Sequence, residues 1–269
     1  MKKTKILVPA LGILALGMAA SVTGTVAWFS ANDKVYADGI FIQTTTAQSL
    51  VISESGNDHT WGSKITHAQG HGTTQDPTAA KSMDPAYNLS ANNAVPSFVK
   101  VDSGTLEGEN PTYEVRDDGK VYPYGSGEAG QPVAPAAAGT GPWIACEEDT
   151  DYLQLEEYLK LDTQDTTTNV SVALSLTAQA ENSHENIDKA LVVGVFVWSG
   201  ESAGTLTSVK PFAGGASTYT NNLGLSPLTI NYQPTHVSVY VWYDGQDAAC
   251  INANAIEHPI TISLTWSVQ

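Results

Sequence analysis

His67 and His71 stand four residues apart in Thr66-His-Ala-Gln-Gly-His-Gly72, a spacing that ligates zinc when both imidazoles share one face of a helix. Gly70 and Gly72 flank the second histidine and argue against a helix, and no acid lies nearby to complete a site. The better reading of that stretch is a solvated polar loop. His59, His184, His236 and His258 are scattered, with no evident partner. Carboxylates cluster at Glu147-Glu-Asp-Thr-Asp151, Glu156-Glu157, Asp117-Asp-Gly119 and Asp244-Gly-Gln-Asp247. Calcium needs about six to eight converging oxygens, and none of these runs has the Asp-x-Asp-x-Asp-Gly spacing that supplies them. Asp117-Asp-Gly119 and Asp244-Gly245 read as tight turns, with Gly at the position of positive φ. Calcium therefore stays only a weak expectation, and no cofactor is expected. There is no Gly-x-Ser-x-Gly elbow, no Gly-rich phosphate loop ending in Lys, and no His-Glu-x-x-His helix. The chain is not expected to be an enzyme.

Aromatic rings offer a different chemistry, stacking on sugars. Of the six tryptophans, Trp198, Trp242 and Trp266 lie in apolar alternating runs, where core packing is expected for at least two. Trp61 and Trp143 lie in loop-like sequence and are the candidates for a binding surface. Two cysteines, Cys146 and Cys250, are too few for a disulfide scaffold, but one bridge between them suits an exported chain. It would close a loop of about 100 residues, worth a few kcal/mol. The alternative is two unpaired, buried small side chains. Asn88-Leu-Ser90 and Asn169-Val-Ser171 match the glycosylation sequon, a pattern chance supplies often.

The elements that must position these residues read as β from end to end. Asn169–Ala178 puts Val170, Val172, Leu174 and Leu176 on one face, and Pro259–Val268 does the same with Ile260, Ile262, Leu264, Trp266 and Val268. His236–Trp242 alternates Val237, Val239 and Val241. A period of two over such lengths marks a half-buried strand. Ala190–Trp198 is apolar on both faces, as a central strand covered on both sides must be, and Gly194 within it marks a close backbone approach. Shorter strands are expected at Gly39–Thr44, Ser49–Glu54, Ser97–Asp102, Thr112–Arg116, Lys120–Tyr124 and Glu156–Leu161, with one helical turn near Glu185–Lys189. This many strands without alternating helices predicts an all-β, antiparallel, jelly-roll-like sandwich. Gly56–Asn93 and Gly125–Pro142 interrupt it as long loop insertions (near 56–93 and 125–142).

Ahead of the strands, Met1-Lys-Lys-Thr-Lys5 gives way to an uncharged run from Ile6 to Asn32, with Thr25 and Ala27 as small residues before Trp28. These are the parts of a secretory signal, a hydrophobic helix over 1–27 cleaved between Ala27 and Trp28. The run is also long enough to span a bilayer if it is retained. Loss of Lys2, Lys3 and Lys5 takes 12 basic residues to 9 and the formal charge from −16 to −19, with Arg116 the one arginine. Such a surface repels nucleic acid and anionic membranes. Membrane contact is expected only through an uncleaved signal segment. An apolar content of 42% is enough for a core, so 28–269 reads as one folded β domain.

Gly24-Thr-Val-Ala-Trp-Phe-Ser-Ala-Asn-Asp-Lys-Val-Tyr-Ala-Asp-Gly-Ile-Phe-Ile42, placed directly after that apolar run, resembles the TasA/camelysin family of Gram-positive extracellular matrix proteins. The alternating Ile260–Val268 is similar to the family's C-terminal strand. The resemblance implies processing by a SipW-type signal peptidase and a secreted jelly-roll subunit of biofilm-matrix or surface fibres. It further implies head-to-tail assembly by donor-strand complementation, with copies of the chain itself and minor matrix proteins as partners. The segment 28–36 would be the donor, with Trp28, Phe29, Val35 and Tyr36 as anchors, pairing in the β-augmentation mode. The other expectation is a membrane-anchored adhesin with the sandwich as its ectodomain. Camelysin's metalloprotease activity has no counterpart in the motifs of this chain.

Overall fold

The computed structural model describes residues 36–44, 50–55, 61–67, 83–90, 94–106, 111–148, 150–164, 166–178, 187–214, 218–225, 228–250 and 259–269. The signal segment, its cleavage site and the anchors Trp28, Phe29 and Val35 lie outside them. Among the described residues no helix is long and apolar enough to cross a membrane.

Two sheets carry the fold. The first is ordered β13 (Thr218–Asn222), β10 (Thr168–Ala178), β16 (Pro259–Val268), β1 (Tyr36–Thr44) and β3 (Lys64–His67), with β14 (Leu228–Ile230) also paired to β10. The second is ordered β12 (Gly204–Val209), β11 (Leu191–Trp198), β15 (Thr235–Tyr243), β9 (Tyr152–Leu161) and β2 (Leu50–Ser53). Alternation in the sequence becomes the sandwich core. Val170, Val172, Leu174 and Leu176 of β10 register with Val268, Trp266, Leu264 and Ile262 of β16. From the second sheet Leu153, Leu155, Leu159, Val193, Val195, Val237, Val239 and Val241 meet them in one buried cluster. Each such side chain contributes about 1.5–3 kcal/mol on leaving water, so these five long strands supply most of the driving force.

The second sheet has a covered outer face as well. Val192, Phe196, Leu206, Tyr240 and Trp242 pack there against Phe98 and Ala86. Those two residues belong to a smaller lobe built on β4 (Tyr87–Asn88), β5 (Phe98–Val101) and β8 (Trp143–Ala145). Beyond it, Tyr87, Val99, Val101, Leu106, Val121 and Trp143 form a third apolar cluster. A hairpin of β6 (Tyr113–Val115) and β7 (Val121–Pro123) flanks it. The two-faced apolarity of β11 thus has its cause: sandwich on one side, lobe on the other. A Cβ built on Gly194 would lie 2.9 Å from Leu206 and 3.2 Å from Trp242, which is the close approach its sequence setting predicts.

The architecture is all-β and sandwich-like, and the helical turn expected near Glu185–Lys189 is a 3-10 turn at Ile187–Ala190. One pairing departs from the antiparallel expectation: β1 runs parallel to β16, from Tyr36 opposite Pro259 to Thr44 opposite Trp266. Nor are the two long insertions without order. The first contains β3 and β4, and the second sends Val133 and Ala136 against the third cluster.

Candidate functional site

The first strand of the described residues lies inside a sheet and not at its edge. β1 forms a seven-position register with β16 on one side and a four-position antiparallel register with β3 on the other. Its register shifts between Ala37 and Ile40, so that Asp38-Gly39 forms a bulge. Among the described residues, β3 joins the first sheet only through β1. Without β1, the N–H and C=O rows of β16 and β3 would face an empty slot one strand wide, and unpaired rows of this kind template another strand. Tyr36, the last residue of the expected donor segment, is the first residue of β1.

The cysteines are a correction. Both are free thiols. Cys250 is buried in the sandwich core and Cys146 packs beside the cluster on the other face of the second sheet, so that sheet stands between them. Burial pushes the Cys146 thiol up to about 12, which leaves it protonated and unreactive at neutral pH.

The tryptophans proposed for a binding surface are also placed otherwise. Trp143 is 1% exposed at the centre of the third cluster, edge-on to Tyr87 at 4.9 Å. Trp61 is half-buried, and its ring is covered by the Lys160 ammonium at 4.3 Å, with Tyr232 at 5.3 Å from the same charge. Trp143 presents no free face to a sugar, and one face of Trp61 is taken by Lys160. His67 ends β3 and His71 lies outside the described residues.

Sequence reading missed a polar cluster on the outer face of the second sheet, where it is not covered by the lobe. His236 lies between the rings of Tyr158 (4.6 Å, 6°) and Trp198 (4.9 Å, 3°). Its Nε2 meets Glu156 Oε2, which also accepts from Ser238 Oγ at 2.7 Å, while Trp198 Nε1 donates to Ser238 Oγ at 2.6 Å. Serine, histidine and carboxylate are all present, yet the wiring is not that of a nucleophilic triad. The buried hydroxyl gives its proton to Glu156, and the imidazole is aimed at the carboxylate rather than at Ser238. Both faces of the imidazole are occupied by rings. The cluster fastens β9, β15 and β11 together.

The acid clusters resolve into turns and lysine pairs. Asp117-Asp-Gly119 is a turn with Gly119 at φ +74, and Asp118 accepts from the Lys120 N–H. Asp244–Asp247 is also a turn, but Gly245 is needed for space: a Cβ there would stand 2.5 Å from the Tyr87 ring. Lys210 Nζ sits between Asp244 (2.8 Å) and Asp247 (2.7 Å) and offsets their charge. Among the described residues no group of three or more His, Cys, Asp or Glu side chains converges as a metal site. Although burial opposes each charge, the hydrogen bonds of the pair prevail: Lys210 is held above the usual lysine range and Asp247 below the usual carboxylate range. The share due to Asp247 is complete above the ordinary carboxylate range and is lost as pH falls through its depressed value. That due to Lys210 is complete below the ordinary lysine range and is lost as pH rises through its raised value. Lys210→Met should cost under about 1 kcal/mol at neutral pH, since the pair is partly solvated. In urea titrations at a series of pH values, the gap between variant and wild type should close in the acid limb.

Comparison of the chain with protein-family models, with curated proteins and with solved structures found no match.

Proposed function

We propose that this chain is a secreted, non-catalytic structural subunit of extracellular-matrix or surface fibres, its sandwich wound as a jelly roll and its N-terminal segment supplied to the next copy. The observation that carries this reading is the interior position of β1. Once 1–27 is removed, β1 and the segment 28–35 ahead of it stand near the chain end, tethered to the fold on one side only, so that segment is free to extend a ladder of another molecule with main-chain hydrogen bonds. Residues 28–35 immediately precede β1 and hold Trp28, Phe29 and Val35 as apolar anchors. Export on 1–27 would free that segment at the chain terminus. Its insertion in a neighbouring sandwich is a head-to-tail contact, which propagates instead of closing. The strongly acidic surface keeps subunits soluble until that directed pairing forms.

The experiment is negative-stain microscopy and sedimentation on concentrated mature protein. Filaments are expected from protein beginning near Trp28, and none from a variant lacking 28–35, which leaves β1 whole and should unfold at an unchanged urea concentration. Filaments forming as readily from the shortened variant would defeat the donor role.

A further inference from the structure

Lys100 reaches across from the lobe to the sandwich. It shares a face of β5 with Phe98, which packs on the second sheet. Its Nζ lies 2.7 Å from Asp151 Oδ1 and 3.0 Å from Asp84 Oδ2. Asp151 immediately precedes β9 and its side chain is wholly buried, while those of Lys100 and Asp84 are 18% and 30% exposed. The second oxygen of Asp151 accepts the Glu147 backbone N–H at 2.7 Å. Three chain segments thus deliver an amine, a dry carboxyl held by a fixed donor, and a second, wetter carboxylate to one point.

We propose that Lys100 and Asp151 condense to an intramolecular isopeptide bond, with Asp84 carrying the protons. The lone pair of Lys100 Nζ, bared when Asp84 Oδ2 takes a proton, attacks Asp151 Cγ to form the C–N bond. Charge builds on Asp151 Oδ2, where the Glu147 N–H already points. The Cγ–Oδ1 bond then breaks, and Oδ1 leaves as water with the two protons that nitrogen gives up. Ammonium and carboxylate become amide and water, with no oxidant, reductant or activated donor required.

Three features favour this over a resting ion pair, against the hydrogen bonds of both carboxylates, which outweigh burial and hold Lys100 above the usual lysine range. Contact between the reacting groups is fixed by the fold, which replaces a bimolecular encounter. Burial raises the Asp151 carboxyl above the usual range, toward the neutral acid that reacts. Asp84, at hydrogen-bond distance from the amine, is in reach to act as general base and then acid. The product would join positions 100 and 151 covalently, tying lobe to sandwich in a chain whose thiols are free.

Intact-mass measurement on the purified full chain, with its termini fixed by peptide sequencing, tests the bond directly. The wild type is expected to be lighter than its sequence by one water, and its digest to contain a peptide carrying Lys100 joined to one carrying Asp151. Lys100→Arg should show full mass. Asp84→Asn, which keeps both reactants, should show mostly full mass. A wild type at full mass overturns the proposal. So does a water loss that persists in Lys100→Arg, the mark of a succinimide elsewhere. Should Lys100→Arg fail to fold, the wild-type digest suffices: the joined peptide upholds the bond, and its absence overturns it.

Discussion

Trp266→Ala should lower the unfolding free energy by about 3–5 kcal/mol, the range for removing a fully buried indole, read as a fall in urea midpoint with little change in slope. Trp266 is fully buried on β16, opposite Val172 of β10, in the cluster where both sheets meet. The cluster around it is built chiefly on long paired strands, so the cavity cannot fully collapse without moving a ladder. The indole also donates to Glu157 Oε2, at 3.4 Å, and the variant takes that donor away from a buried carboxylate. Both effects act on the folded state as a whole, and the loss should appear equally by fluorescence and by circular dichroism. A midpoint within the error of the wild type would mean that the two sheets do not share this core.

The second large effect belongs to Trp143→Ala, with a similar transfer and cavity cost of about 3–5 kcal/mol but a different reach. Trp143 is the largest side chain of the third cluster, held by Tyr87, Val101 and Val121 rather than by the sandwich. Its Nε1 finds no acceptor among the described residues, so the loss is one of apolar packing. The sandwich has its own cluster, and the variant should open the lobe while the long strands stay folded. Limited trypsin digestion should then cut at Arg116 and Lys120 under conditions where the wild type is intact. If the urea midpoint of the sandwich falls as far as in Trp266→Ala, lobe and sandwich unfold as one cooperative unit.

How far these features could be read from residues alone follows from their range along the chain. β10, β11, β15 and β16 announce themselves because alternation is local, and a run such as Val170–Leu176 needs no partner to show its face. β12, β13 and β14 are short, and none carries an apolar alternation long enough to show a face on its own. The parallel seam of β1 on β16 joins the two ends of the described chain and has no linking segment to reveal it. Trp143 follows a Gly/Pro-rich tract that reads as exposed, yet that tract itself supplies Val133 and Ala136 to the cluster around it. The cluster around His236 and the Lys100 site were hidden for a shared reason. Their partners lie 80 and 51 positions away, and only the sheet pairings bring them together.

The parallel run of β1 beside β16 also governs how the molecule would carry tension. Tyr36 lies at the end of the seam where β16 begins, while Gln269 follows the opposite end. A pull applied between those two points slides one strand lengthwise past the other, loading all its evenly spaced main-chain bonds at once instead of peeling them in turn. Shear of that kind resists far larger forces than unzipping, and a thread made of such units would stretch little before it broke.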